Sequence, residues 1–265
     1  QYIEPELRED NGEIELALED KLPRLVTLSD IKGDLHTHSQ WSDGNNTIEE
    51  ISRRAMALGY QYIAVTDHSQ SLKVARGLSI ADLKRKKKEI DKLNKSLSGF
   101  KVLYGAEVDI DSSGSLDYPD AVLKEFDVVA AAIHSGFKQG RTQLTKRIIS
   151  ACRNKYVNII AHPTGRLWGV RDAYDIDLDE ILKVAKDTNT ALEINSFPQR
   201  LDLNDANCRR AKDAGVRVSI ATDAHESNQL SAMRFGLGVA RRAWLEKKDI
   251  LNTLELNELL KVLKK

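Results

Sequence analysis

Seven short apolar runs, separated by longer segments of helical periodicity, constrain the fold of this 265-residue chain more than any other feature. The strands they predict cover residues 32–35, 62–66, 101–107, 126–133, 157–161, 191–195 and 216–221. Several runs are continuously apolar, which is typical of parallel strands buried on both faces. Seven strand–helix repeats without an internal linker therefore predict one α/β domain built as a closed or nearly closed barrel.

The segments between the strands carry clear helix signals. Helices are predicted over residues 47–58, 80–97, 142–152, 177–186 and 205–214, and the tail over 230–265 is expected to form two or more covering helices. Thr47 with Glu50 is a capping-box signature, and Gly59 and Gly215 stand where helix C′ glycines belong. The basic run 84–88 keeps helical apolar spacing around it, so we interpret it as a solvated helix face.

Residues 1–30 differ from the rest of the chain in being acidic and weakly patterned. We interpret them as an entry arm or linker from a missing upstream region, anchored by residues 22–26, and assign residues 31–265 to the barrel domain. The start has neither an initiator Met nor a signal-peptide core, so a fragment of a longer protein is expected.

Bulk composition excludes several classes of protein. Lys+Arg and Asp+Glu each number 40, so no overall positive field indicates nucleic-acid binding, although local patches matter more than totals. Two cysteines are too few for a disulfide framework and favour a reduced, cytoplasmic protein. No stretch of about 18 apolar residues is present, so no membrane partner is expected.

Polar residues with metal-binding capacity follow the predicted strands. All six histidines are among them, and Asn195 occupies the same position on the remaining strand. The set comprises His36, His38, His68, Glu107, His134, His162, Asp223 and His225. Chemistry in a β/α barrel gathers at the carboxyl ends of the strands, where unpaired polar groups would be costly to bury. A lone histidine is more often an ordinary core or surface residue, but the joint pattern predicts a multinuclear metal centre.

The mixture of imidazoles and carboxylates indicates which ions fit. It suits Zn²⁺ or Mn²⁺, with Fe²⁺ as an alternative, more than Ca²⁺ or Mg²⁺. The ligands are too many for one ion, so two or three are expected. Glu107 is predicted to bridge, whereas Asp43 is either a ligand or a simple turn residue. Asp34 and Asp67 are either partners that orient imidazoles or ordinary acids at strand ends.

Several residues near the predicted mouth are candidates for contact with a substrate. Arg166 and Arg200 could clamp a phosphate, although ion pairing with Asp172 or Asp202 is the alternative. Lys73 and Arg76 are weaker candidates, and Asn195 is included for its position. The predicted catalytic residues are Glu107, Asp223, Arg166 and Arg200.

The motifs resemble those of the PHP (polymerase and histidinol phosphatase) family over roughly residues 31–245. The similarity rests on Asp34-Leu35-His36-Thr37-His38, Thr66-Asp67-His68, Gly105-Ala106-Glu107, His134, His162 and Thr222-Asp223-Ala224-His225. Within that family the chain is most similar to the C-terminal PHP domain of bacterial and archaeal family X DNA polymerases. The stretches that carry this are His162-Pro163-Thr164-Gly165-Arg166, Glu193-Ile194-Asn195 and Arg200-Leu201-Asp202-Leu203.

The resemblance implies a distorted (βα)7 TIM-like barrel with a trinuclear metal site. His36, His38, Glu107 and Asp223 would hold one ion. Glu107, His134 and His162 would hold a second, and Asp43, His68 and His225 a third. It also implies a manganese-dependent hydrolase acting on DNA 3′ ends in repair, as a 3′→5′ exonuclease, 3′-phosphatase or abasic-site endonuclease. Its partners would be DNA and the upstream polymerase domains.

Two other functions remain open. A small-molecule phosphomonoesterase of the histidinol-phosphatase type would use the same metals in a deep, closed pocket, whereas DNA favours an open groove. A structural module that docks the upstream polymerase would need no intact ligand set.

Overall fold

A seven-stranded parallel sheet forms the centre of the computed structural model, which describes residues 1–264. The strands are β1 (Gly33–Thr37), β2 (Tyr62–Val65), β3 (Lys101–Asp109), β4 (Val128–Ala132), β5 (Ile159–Ile160), β6 (Ala191–Asn195) and β7 (Val218–Ala221), paired in chain order. The first and last strands approach each other, because Thr37 bridges Ala224 and the His38 N–H donates to the Ala224 carbonyl over 2.9 Å. The predicted fold class, a nearly closed (βα)7 TIM-like barrel, is confirmed.

Nine α-helices lie within the described residues. They are α1 (Glu13–Leu18), α2 (Ile48–Ala57), α3 (Ile80–Ser96), α4 (Asp120–Leu123), α5 (Arg141–Arg153), α6 (Leu178–Asp187), α7 (Asp205–Ala214), α8 (Met233–Arg242) and α9 (Leu256–Leu263). The five helices predicted between the strands are α2, α3, α5, α6 and α7, each within one residue of its expected ends. The predicted capping box is present, because the Thr47 N–H donates to Glu50 and the Glu50 N–H to Thr47.

Two strands differ from prediction in ways that matter for the site. β3 continues past Glu107 to Asp109, because the β3–β4 ladder persists to the pair of Asp109 with Ala132. In β1 the pairing register shifts between Asp34 and Thr37. Such an irregularity re-aims side chains, and here Leu35 joins the interior while His36 reaches β6.

Apolar side chains pack in two layers, one outside the sheet and one inside it. The outer layer joins the helices to the outward faces of the strands, as with Ile51 and Ile63. The inner layer contains Leu103 and is closed by Leu259 of α9. Alternate residues of a strand share a face, so Glu107 lies on the same inner face as Leu103. The interior is therefore apolar at one end and polar at the other.

One amide closes the seam between the first and last strands. Asn252, which follows β7 in the chain, is fully buried. Its Nδ2 donates to the carbonyls of Gly33 and Ile220 over 2.8 and 2.7 Å, and its Oδ1 accepts the Ile220 N–H over 2.8 Å. These bonds supply the ladder contacts that β1 and β7 do not make directly at that end.

Residues 1–30 pack against α8. Leu7 and Leu25 form a small apolar cluster with Trp244, and the Arg241 guanidinium donates to Glu6 over 2.6 Å. The Val26 N–H also bonds the Leu245 carbonyl. The arm thus lies on the domain, while its role as a linker stays a prediction.

The basic run 84–88 corrects one interpretation, because Lys86 is buried. Its ammonium lies 2.8 Å from an Asp67 oxygen and donates to the carbonyls of Val65 and Gly105. Lys86 occupies the apolar face of α3 with Leu83 and Ile90, three and four positions away. That face packs on the sheet, so the prediction that the whole run is solvated was wrong.

No helix within residues 1–264 has the length and apolar character that a bilayer crossing requires.

Candidate metal centre

The polar end of the barrel gathers the nine predicted metal ligands around Glu107. They are His36, His38, Asp43, His68, Glu107, His134, His162, Asp223 and His225. Most of these side chains are buried, but Asp43 and His225 are each about a third exposed. The ligand cluster therefore opens to solvent on the side of Asp43 and His225.

Glu107 presents its two oxygens to different imidazoles. Oε2 lies 2.8 Å from His68 Nδ1 and 3.4 Å from His36 Nε2. Oε1 lies 2.9 Å from His162 Nε2 and 3.2 Å from His134 Nε2. A carboxylate with donor atoms gathered on both oxygens has the arrangement of a bridging ligand.

Asp223 also divides its two oxygens between two tasks. Oδ1 lies 3.0 Å from His38 Nε2 and 3.7 Å from His36 Nε2, and those two nitrogens are 3.1 Å apart. Oδ2 accepts a hydrogen bond from Asn195 over 3.1 Å and lies 3.4 Å from Arg200 Nε. One face of this carboxylate is thereby free to bind an ion while the other is held in place.

Asp43 belongs to a third group of ligand atoms, with His38, His68 and His225. Its oxygens lie 3.3 Å from His225 Nε2 and 3.5 Å from His68 Nε2. The His38 ring stacks between the other two imidazoles, with centroids 4.4 Å from each. Gly44 permits this turn, because a Cβ there would meet the His38 carbonyl oxygen at 2.4 Å.

The geometric groups overlap with the sets implied by the family resemblance without matching them fully. One group joins His36, His38 and Asp223, and another joins His68 and His134 to Glu107. His68 thus faces two groups through its two nitrogens. The ligand assignment to individual ions stays a prediction.

Unsatisfied buried atoms indicate that cations belong here. Within residues 1–264, Glu107 Oε2 and the Nδ1 atoms of His38, His68 and His162 are buried without a hydrogen-bond partner. His68 Nδ1 and Glu107 Oε2 are 2.8 Å apart, yet they lack the geometry of a hydrogen bond. Buried polar groups are normally paired, and imidazole with carboxylate is a donor set that divalent transition metals prefer. The residues therefore fit a metal cluster.

Burial and mutual charge set the protonation of the cluster. Burial disfavours the ionised form of Glu107, but the charges of His134 and His68 outweigh it and hold its pKa well below the usual range. Burial lowers the pKa of His38 to about 4, assisted by neighbouring imidazoles, and lowers that of His162 to about 3, assisted by a guanidinium. The pKa values of two other imidazoles shift the opposite way. Glu107 and Asp43 outweigh burial and raise the pKa of His68 to about 10. Glu107 and Asp109 outweigh burial and raise the pKa of His134 to about 9. Because neutral imidazoles and an ionised carboxylate are the forms that bind metals, ion binding would release protons from these two histidines.

The residues that orient the imidazoles are not the predicted ones. Asp34 accepts hydrogen bonds from Thr222 and the His36 N–H, and Asp67 from Ser39, Ser42 and Lys86, so neither contacts an imidazole. Glu193 Oε2 instead lies 3.1 Å from His36 Nδ1, and Asp109 Oδ1 lies 2.6 Å from His134 Nδ1. Asp109 and Glu193 each stand two residues from a site residue on the same strand face, a signal that strand periodicity could have provided.

The candidate substrate contacts separate into three kinds. Arg200 reaches the cluster, and within residues 1–264 its buried Nη1 has no hydrogen-bond partner. Asn195 holds Asp223 and is fully buried, so it positions a ligand. Arg166 donates to the carbonyls of Arg200 and Leu201, so it supports the loop that carries Arg200 rather than pairing with Asp172 or Asp202. Lys73 and Arg76 are exposed in the loop after β2.

Two of the ligands adopt an uncommon backbone conformation. His162 and Asp223, each two residues after a strand, have φ of 28° and 53°. Positive φ is disfavoured for residues with a Cβ, and such residues cluster at functional sites. The sharp turns aim both side chains back over the barrel mouth.

Comparison with known proteins identifies the family. The PHP domain family matches residues 34–197. This chain belongs to the PHP family. The domain is accordingly a metal-dependent phosphoesterase of the PHP type.

Two relatives show how the domain is used elsewhere. The DNA polymerase/3′-5′ exonuclease PolX of Bacillus subtilis is 48% identical over 263 residues, which are 99% of this chain and 46% of the relative. The chain thus spans about half the length of that protein. A protein named "Probable phosphatase" from Thermoanaerobacter is 34% identical over 83% of this chain and 89% of its own length.

A solved structure shares the fold. Histidinol phosphate phosphatase from Lactococcus lactis, crystallised with zinc, L-histidinol and phosphate, superposes with a TM-score of 0.58 at 19% identity. The match covers 79% of this chain and 93% of that one. At this identity the likeness establishes the barrel architecture.

Proposed function

We propose that this domain hydrolyses phosphodiester bonds at DNA 3′ ends, as the 3′→5′ exonuclease part of a longer cytoplasmic polymerase that acts in DNA repair. The observation that carries the proposal is Glu107, whose two oxygens face two sets of imidazoles at one open barrel mouth. The 48% identity to a polymerase/3′-5′ exonuclease supports DNA as the substrate.

The ligand atoms fall into positions for two to three divalent ions, of which Mn²⁺ or Zn²⁺ fit the donor set best. Asp223 would hold an ion with His36 and His38, and Glu107 would hold another with His68 and His134. Asp43 would hold a third with His38, His68 and His225. Divalent ions held by these residues would lower the pKa of bound water and neutralise charge on the phosphoryl oxygens. The protein residues fix where that chemistry takes place.

Arg200 supplies the contact that distinguishes a phosphoester site from a bare metal site. Its Nε lies beside Asp223, so the guanidinium is held at the edge of the ligand cluster. Its unpartnered Nη1 would donate to a phosphoryl or leaving 3′ oxygen, and a charge-assisted bond of this type is stronger than a neutral one. Arg166 keeps the loop of Arg200 in place through backbone carbonyls.

A small-molecule phosphomonoesterase is the second candidate, and a specific observation favours it. The Thermoanaerobacter relative named "Probable phosphatase" aligns over 89% of its own length, without the long extension that a polymerase has. The open edge at Asp43 and His225 supports the DNA reading, because a small substrate is better enclosed by a deep pocket.

Three substrates separate the candidates. The chain is incubated with Mn²⁺ and, in parallel, a labelled single strand, a 3′-phosphorylated oligonucleotide and histidinol phosphate. Stepwise shortening from the 3′ end is the expected result, and an Arg200→Lys variant should be much slower, while Arg53→Lys, an exposed position on α2, is the matched control. Hydrolysis of histidinol phosphate alone would support the phosphomonoesterase, and inertness on all three would favour a docking module.

A further inference from the structure

An exposed tryptophan beside the metal centre is not accounted for by the hydrolytic machinery. Trp168 lies in the loop after β5, and 58% of its surface is accessible. The other two tryptophans differ, because Trp41 is partly buried and Trp244 is 3% exposed. Val170, two residues away, is 73% exposed, so the loop presents two adjacent apolar side chains to solvent, and exposed apolar patches mark interaction sites.

The backbone holds Trp168 in a defined turn. Leu167 and Arg171 exchange backbone hydrogen bonds of 2.8 Å in both directions, and Gly169 at the tip has φ of 75°. The Arg171 Nε also donates to the Gly165 carbonyl. Trp168 is therefore presented by a short hairpin that resists collapse onto the surface.

This hairpin is bonded to the loop that reaches the metal centre. The Trp168 N–H donates to the Gln199 carbonyl over 2.6 Å, one residue before Arg200. Arg166 donates to the Arg200 carbonyl and also lies over the Trp168 ring, 4.7 Å from its centroid. One face of the indole is thus backed by a cation, and the Trp168 backbone is bonded to the residue that precedes Arg200.

We propose that Trp168 is a stacking platform for a base of a single DNA strand whose 3′ end lies at the metal centre; this rests on the proposed function. Proteins that bind single strands combine cationic side chains for the backbone with aromatic rings on which bases stack. Arg166 and Arg171 supply cations in a cavity of about 260 Å³ that Trp168 also lines, and Asp172 is the carboxylate there. Arg200 supplies a third cation at the ligand cluster. A small phosphomonoester has no second nucleotide to reach this ring.

Tryptophan fluorescence tests the platform directly. Mn²⁺-loaded protein is titrated with a single-stranded oligothymidylate whose 3′-terminal linkages are phosphorothioates, which slow hydrolysis during the measurement. Emission should be quenched on binding. Trp168→Ala should raise the dissociation constant about 5- to 100-fold, the range for loss of one stacked base. Trp168→Phe should lose most of the quenching yet keep affinity near that of the unaltered protein.

Val170→Ala is the matched control, because Val170 is 73% exposed on the same hairpin and offers no aromatic face. Its affinity should be unchanged. Wild-type affinity in Trp168→Ala, or equal weakening in Trp168→Phe and Trp168→Ala, would overturn the platform, as would absence of binding by the unaltered protein. Tight, Trp168-dependent binding without any hydrolysis would support the platform while overturning the proposed 3′-end reaction.

Discussion

Two sets of buried charged groups lie in this barrel, and they differ in how their polar atoms are satisfied. Lys86 and Asp67 are fully buried, and each has protein partners, including strand carbonyls for the ammonium and Ser39 and Ser42 for the carboxylate. Around Glu107, by contrast, several equally buried atoms have no hydrogen-bond partner within residues 1–264. The polar atoms of the first set are all paired by protein groups, whereas those of the second set need bound cations as partners.

This difference separates structural from functional burial of charge. A buried ion pair with all its hydrogen bonds is stable on its own, but an uncompensated buried charge is costly. Histidines and carboxylates that remain unpaired therefore mark where ligand binding compensates the cost of folding. The two sets are neighbours, since Asp67 directly precedes His68 in the chain.

Glu107→Gln should produce the largest effect, because it removes a charged oxygen shared by the ligand groups. We expect Mn²⁺-dependent hydrolysis to fall by about 10³-fold, corresponding to several kcal/mol of lost charge stabilisation. Stability without metal should also fall, because the lowered pKa of Glu107 means that its charge is stabilised in the fold by His134 and His68. Initial rates and thermal unfolding in a chelator measure both. Glu125→Gln, which is exposed, is the control; retained activity in Glu107→Gln would contradict the assignment.

Lys86→Met should mainly affect folding. Leaving Asp67 buried without its cation is expected to cost about 3–5 kcal/mol of unfolding free energy. Urea unfolding measures this, with the exposed Lys88→Met on the same helix as a control expected to stay within about 0.5 kcal/mol. If the two variants were equally stable, the Lys86–Asp67 pair would not be needed for the stability of the fold.

Glu193→Ala should have a smaller effect, confined to metal binding. Glu193 orients His36, and loss of such a partner commonly weakens metal affinity about 10- to 100-fold. Calorimetric titration with Mn²⁺ measures the change, and Asp109→Ala should behave alike through His134. Unaltered affinity in both variants would show that the imidazoles need no such support.

Glu6→Gln should have the smallest effect, because the Glu6–Arg241 pair is partly exposed. The Arg241 hydrogen bond lowers the pKa of Glu6, so its stabilisation is present above the ordinary carboxyl pKa and is lost as pH falls through the lowered value. We expect a loss below about 1 kcal/mol near neutral pH. Unfolding measured across an acid pH series should show the two proteins converging; a constant difference would rule out this pair as its source.

The sequence predicted the barrel and the ligand cluster well because both follow from local patterns. Apolar runs of strand length predicted β1 to β7. Polar residues that follow the strands, such as His134 and His162, were expected to lie together because the carboxyl ends of barrel strands meet at one end of the barrel. Asp109 and Glu193 were missed although strand periodicity places each on the same face as a site residue, and only the tertiary fold shows which imidazole each one contacts. For Arg166 the sequence left phosphate contact and ion pairing open, and its bonds to the carbonyls of Arg200 and Leu201 could not be foreseen because no local pattern specifies them.

The hydrogen bonds of Asn252 make the geometry of the ligand cluster depend on a distant part of the chain. His36 lies in β1 and Asp223 two residues after β7, and they belong to the same ligand group although they are far apart in sequence. The side-chain amide of Asn252, which follows the last strand, joins β1 to β7 at the end opposite the ligand cluster. Loss of the Asn252 hydrogen bonds would therefore separate His36 from Asp223, which share an ion-binding group, without changing any residue of that group.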